Sequence, residues 1–100
     1  MIKLNDTKRL QVFSRDNYTC QKCGKPATEI AHRIANTKSN ALTCSKNVIN
    51  HPFNLVASCQ KCNDYFNIGN KPEIAKKLVE LTKSNLHKWT MASEIERRLK

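Results

Sequence analysis

The stretches CQKCG at residues 20–24 and CQKCN at residues 59–63 decide how this chain is read, because they set the same Cys-x-x-Cys hook twice in 100 residues. Cys20, Cys23, Cys59 and Cys62 together supply four thiolates, the closed tetrahedral ligand set of a structural zinc ion. A thioredoxin-like redox motif would need a single hook at a helix start after a βαβ strand, and that context is missing. An iron–sulfur cluster uses the same ligand type and stays open as an alternative. A fifth cysteine, Cys44, has no partner at knuckle spacing and reads as a small half-buried apolar residue.

Composition supports the same reading. A chain this short buries too little surface for a wide stability margin and calls for a staple. Hydrophobic residues make up 39% and aromatics 6%, enough for a modest core and too much for a disordered chain. No apolar run approaches membrane-spanning length, and MIKLNDTKRL lacks the apolar region of a secretory signal. The expected location is a reducing cytoplasm, where paired cysteines bind metal more often than they pair with each other. Eighteen Lys and Arg against 8 Asp and Glu give a formal charge of +10, spread along the chain. That pattern predicts an anionic partner, a phosphate backbone along which a folded surface lies rather than a membrane or a small molecule.

Outward from the hooks, the pattern predicts one α+β domain over residues 1–100, with a core at about 12–70 and a helical extension at about 71–100. DTKRLQVFSR (6–15) reads as a helix with Asp6 as a cap. Gly24 stands where a knuckle needs a positive φ. TEIAHRIA (28–35) alternates as a strand, with His32 on the face of Ile30 and Ile34. NTKSNALTCSKN (36–47) reads as polar loop, and FNLVASC (53–59) as a second strand. CQKCNDYFNIGN reads as a helix ended by Gly69. Ile74, Leu78 and Leu81, then Ala92, Ile95 and Leu99, mark two amphipathic helices, the last with Thr90 as a candidate cap. These helices suit either core packing or a dimer surface, so the chain is expected as a monomer or a homodimer.

The order Cys-x-x-Cys-Gly, then EIAHRI, then HPFNLVASCQKCN resembles the HNH endonuclease family over about two-thirds of the chain. The resemblance implies a ββα-metal finger braced by a four-cysteine zinc site, flanked by N- and C-terminal helices, that hydrolyses phosphodiester bonds in DNA. It implies His32 as general base, Asn54 as the residue fixing the loop between hairpin and helix, and Asn63 at the final His position, an H-N-N variant. Asn63, and Asn67 one helical turn on, would hold a catalytic Mg²⁺ or Mn²⁺. Ala31 stands where the family commonly has a ligand, which Asn67, His51, Glu29 or Asp64 would have to replace. Arg15, Lys22, Arg33 and Lys61 are the candidates for contacting the DNA backbone. The same residues also suit a zinc-braced nucleic-acid-binding module that has lost catalysis.

Overall fold

The computed structural model describes residues 6–68, 72–84, 86, 87 and 89–99. Helix α1 (Asp6–Arg15) leads to the first knuckle and strand β1 (Glu29–His32). Two short helices come next, α2 (Lys38–Cys44) and α3 (Lys46–Ile49), then a 3₁₀ turn (Pro52–Asn54) and strand β2 (Leu55–Ser58). A 3₁₀ helix (Gln60–Phe66) carries the second knuckle, and α4 (Pro72–Thr82) and α5 (Ala92–Leu99) close the order. The fold is a small α+β unit around a two-stranded antiparallel sheet, in which Glu29 pairs with Ser58 and His32 with Leu55.

Helix α1 spans the residues the sequence predicts. It seals the sheet by burying Val12 against Leu55 and Ala57. The turn after it holds Asn17 and Tyr18 at φ of 58° and 55°, a region that costs a tyrosine strain. The Tyr18 N–H donates to Phe13 O at 2.7 Å, and its ring stacks on Phe13, which together keep the turn closed.

A second body of packing lies beyond the sheet. Val48, Ile49, Phe53, Leu78, Ile95 and Leu99 bury one another together with Ile34. Leu78 and Ile95 are fully inside, so α4 and α5 use their apolar faces on the chain's own core. Between the two bodies Ala31, Val56, Phe66 and Ala92 form a small bridge of contact.

Three expectations are corrected. The stretch 36–47 is largely helical, because Val48 and Ile49 anchor α3, and half-buried Cys44 at the end of α2 packs on the same core. The segment after Cys59 is a 3₁₀ helix, not an α-helix. Gly69, expected to end it, lies outside the described residues. The cap of α5 is also one residue on from Thr90: the Glu94 and Ile95 N–H groups donate to Met91 O, and the Thr90 hydroxyl donates to His87 O.

Candidate metal centre and the adjoining histidine

The first hook closes because Gly24 takes a φ of 82°, which lets its N–H reach Cys20 O at 2.9 Å, while the Cys20 N–H reaches Lys25 O at 2.7 Å. The Gln21 N–H, donating to Ala57 O at 3.1 Å, ties this knuckle to β2. The second hook begins directly at the end of β2, with Cys59 as cap of the 3₁₀ helix and Cys62 inside it. In a 3₁₀ helix positions three apart eclipse each other, which aims these two side chains the same way.

The result is a cluster in which all four sulfur atoms lie within 4.8 Å of one another. Cys23 Sγ and Cys59 Sγ are 3.7 Å apart. Tetrahedral zinc with bonds of about 2.3 Å sets its sulfurs roughly 3.8 Å apart, so the four cysteines fit a zinc ion. Burial opposes ionisation of Cys20, but N–H groups of Cys23, Cys59 and Lys22 outweigh it and pull the thiol down to about 6. Cys59 shifts down too: burial opposes this, and the Cys62 N–H outweighs it. Cys62, facing sulfurs that ionise first, is pushed up to about 12 by its contact with Cys59 and by burial. A cation at the centre would remove that conflict by letting all four ionise.

A buried ion pair braces β2, the strand that leads into the second hook. Arg15 Nε and an amino nitrogen contact both oxygens of Asp16, at 2.8 and 2.9 Å. The same guanidinium donates to Pro52 O and Leu55 O, each at 2.6 Å, and Asp16 accepts the Ala57 N–H at 2.9 Å. This corrects the DNA-contact expectation for Arg15, whose side chain is 1% exposed and committed to these partners. Arg33 is corrected for the same reason: it is buried, donates to Ala92 O at 3.1 Å and lies over the Phe66 ring. Lys22 and Lys61 are exposed, and Lys22 stands 4.3 Å over the ring of Tyr65.

His32 ends β1, and Asn54 fixes the backbone immediately beyond it. The Asn54 side chain is fully buried, accepts the Ile34 N–H at 2.7 Å, and donates to Ile34 O and Ile49 O at 3.1 and 2.7 Å. Its own carbonyl accepts the Arg33 N–H at 2.8 Å. The exit of β1 is thereby clamped to the end of α3. From the other side the Ile68 N–H donates to Arg33 O at 2.9 Å, which brings the segment after the 3₁₀ helix to the same place.

His32 is half-buried, and burial lowers its pKa further than the neighbouring Asn50 side chain raises it. Its Nε2 is buried without a hydrogen bond of normal geometry. Burial thus favours the neutral ring, the state in which a histidine can accept a proton. His51 is held locally: its Nδ1 accepts the Phe53 N–H at 3.1 Å, and the ring meets Phe53 edge-on.

Asn63 is half-buried, with its amide nitrogen 3.4 Å from Ser58 Oγ. Asn67 is exposed and sits after the 3₁₀ helix with φ of −68° and ψ of 122°, so the helical spacing that would align it with Asn63 is absent. Among the described residues, the four cysteines form the one converging group of three or more His, Cys, Asp or Glu side chains. Also among the described residues, no helix is long and apolar enough to cross a membrane. Asn50, whose side chain opposes the downward shift of His32, is not flagged by the sequence, since an Asn before His-Pro reads as ordinary turn.

Comparison of the chain with protein-family models, with curated proteins and with solved structures returned no match.

Proposed function

We propose that this protein is a metal-dependent DNA endonuclease of the HNH type, braced by a structural zinc ion on Cys20, Cys23, Cys59 and Cys62. The observation that carries the reading is the placement of His32 at the end of a strand, inside the cysteine-closed segment, with Asn54 locking the backbone directly after it. His32 takes a proton from a water attacking phosphorus in line as the opposite P–O bond breaks. The 3′ oxygen leaves to be protonated by solvent, and the developing charge on phosphate is offset by nearby cations. Lys22 and Lys61 are the exposed cations proposed to hold the DNA backbone.

Asn63 is the amide left to offer an oxygen to a hard divalent ion, since Asn67 lies out of line with it, and waters and phosphate oxygens of the DNA would supply the other ligands. Mg²⁺ commonly keeps waters and shares a substrate phosphate rather than sitting in an all-protein cage. Bound there, Mg²⁺ or Mn²⁺ would supply charge neutralisation at the scissile phosphate. A neutral amide holds such an ion weakly, so saturation by the metal is expected only with DNA present.

The test is plasmid cleavage by the zinc-loaded chain with Mg²⁺, Mn²⁺ or EDTA, alongside His32→Ala. Metal-dependent cutting by the wild type, absent from the variant, is the expected result. A second reading, a binding module without catalysis, draws on Ala31, which leaves the metal site one ligand short. Salt-sensitive DNA binding by both proteins with no cutting under any metal would favour it.

A further inference from the structure

The two hooks carry lysine at the same place, Lys22 between Cys20 and Cys23 and Lys61 between Cys59 and Cys62, and both side chains are exposed. Their surroundings differ. Lys22 Nζ stands 4.3 Å from the centroid of the Tyr65 ring, whereas among the described residues no aromatic ring lies under Lys61.

The placement of Tyr65 follows from the second hook. Positions three apart eclipse in a 3₁₀ helix, so Tyr65 continues the row of Cys59 and Cys62, and there its ring meets the lysine of the first hook. Phe66, buried with Ala31 and Val56, meets the ring edge-on at a centroid distance of 5.2 Å. Tyr65 is thereby anchored toward the strand that ends in His32, although 54% of it is exposed. A lysine loses rotamer freedom when it grips an anion, and one already held over a ring has lost part of that freedom beforehand. The ring attracts the ammonium without neutralising it. Among the described residues the ion pairs are Arg15 with Asp16 and Arg97 and Arg98 with Glu94, so no carboxylate competes for Lys22.

We infer that Tyr65 is the positioning residue for Lys22, fixing its ammonium over the knuckle as a pre-set contact for a phosphate of the DNA backbone. The phosphate rests on the proposed nucleic-acid reading. The contact between ammonium and ring does not, since it belongs to the folded chain. Lys61 is the built-in control, with the same hook position and charge and no ring.

Proton spectra of the labelled, zinc-loaded chain without DNA read the contact directly. A ring under the ammonium shields the neighbouring methylene, so the Lys22 Hε signals should lie upfield of those of Lys61. They should move to the Lys61 position in Tyr65→Leu and stay upfield in Tyr65→Phe. Affinity for a fluorescently labelled DNA duplex, without Mg²⁺ or Mn²⁺ so that nothing is cut, reads the consequence. Tyr65→Leu should weaken binding about 2- to 5-fold, and Tyr65→Phe should not. Added to Lys22→Gln, Tyr65→Leu should cost nothing further, whereas added to Lys61→Gln it should cost the full amount. In cleavage, Tyr65→Leu should raise KM by the same factor and leave kcat unchanged. Wild-type Lys22 signals at the Lys61 position, or a Tyr65→Leu loss of equal size with and without Lys22, overturn the assignment. If Tyr65→Leu does not fold, Tyr65→Gln takes its place in the same cycle. Equal losses in a chain that does cut DNA sink the assignment alone, and a wild type that binds no duplex sinks it together with the nucleic-acid reading. Coupled binding by a chain that never cuts sinks the nuclease reading and leaves the Lys22–Tyr65 assignment standing.

Discussion

The two halves of this molecule are held together by different physics. Around the sheet and knuckles, beside the small apolar contact of Val12 with Leu55 and Ala57, polar and sulfur groups join the elements: four cysteines, the buried Arg15–Asp16 pair, and main-chain groups of β2 that accept from or donate to that pair. Around α3, α4 and α5 the join is apolar, with Ile49, Phe53, Leu78 and Ile95 at 0–1% exposure. Apolar packing tolerates small shifts of position, whereas a metal ligand or a buried charge does not. A half built from such contacts gives fixed geometry, and His32 and Asn54 stand at its border. The division also explains how so short a chain can fold, since neither half has a core large enough by itself.

Removing the metal should produce the largest effect and should divide the halves. Structural zinc in small domains contributes on the order of 10 kcal/mol, comparable to a domain's whole margin of about 5–15 kcal/mol. Chelation, or Cys59→Ser, should therefore unfold the sheet half. Zinc content should be one ion per chain in the wild type, and amide exchange at Ala57 and Ser58 should accelerate sharply on chelation. If those amides stay protected without zinc, the cysteines are not the staple and the contrast between the halves is wrong.

Next in size is the buried pair. Asp16→Asn leaves the Arg15 guanidinium charged and buried without its counter-ion, which costs roughly 3–5 kcal/mol. The double change Arg15→Met with Asp16→Leu should recover much of that loss, since apolar replacement of a whole buried pair is often nearly neutral. Thermal melts of the zinc-loaded proteins distinguish the two cases. Equal losses in the single and the double variant would mean that the hydrogen bonds to Pro52, Leu55 and Ala57, rather than the charge pairing, carry the join.

Leu78→Ala probes the apolar half and should cost about 2–5 kcal/mol. The site should feel it less than its stability does, because Leu78 contacts the core on the far side of the Asn54 clamp from the knuckles. Zinc affinity unchanged while the melt drops is the expected pair of results. A parallel loss of zinc affinity would show that the halves form one cooperative unit.

What the sequence makes legible tracks this same division. The four cysteines, Gly24 and the span of α1 can be read directly, because metal spacing, a positive φ and a helical apolar stripe are each local signals. Helices α2 and α3 cannot, since KSNALTC and KNVI are polar apart from a few positions, and Val48 and Ile49 owe their helix to packing on residues far along the chain. The 3₁₀ form of Gln60–Phe66 is likewise set by where Cys62 must point, a constraint that helical spacing misses. Arg15 and Arg33 are misread from charge alone. Counting basic residues measures an electrostatic total, and it does not distinguish a surface cation from one committed to buried carbonyls. For Arg15 the adjacent Asp16 is the available clue, as a neighbouring acid just after a helix can satisfy the guanidinium internally. Asn54 is singled out by the family resemblance alone, because its bonds to Ile34 and Ile49 join parts of the chain that no local pattern relates.

The smallest expected effect concerns pH, and it separates the halves by their histidines. Burial lowers the pKa of His51, with Lys8 adding to the shift, and burial lowers that of His32 against the pull of Asn50. The folded chain then binds fewer protons than the unfolded one just below the ordinary histidine pKa of about 6.5, so stability falls as pH drops through that value toward the folded pKa. For His51 there is a direct structural reason: protonation at Nδ1 destroys the acceptor that holds the Phe53 N–H. His51→Gln should therefore flatten part of the acid limb of melting temperature between about pH 6.5 and pH 5, by less than about 1 kcal/mol because the ring is half in solvent. His32 is half-buried at the end of β1 instead, and because the Asn50 side chain opposes its downward shift, Asn50→Leu should lower its titration further. Ring titrations by magnetic resonance give both values at once. Should His51 titrate at or above its ordinary pKa while His51→Gln reproduces the wild-type acid limb, the acid sensitivity belongs to the cysteine half alone, through protonation of its thiolates and loss of the metal.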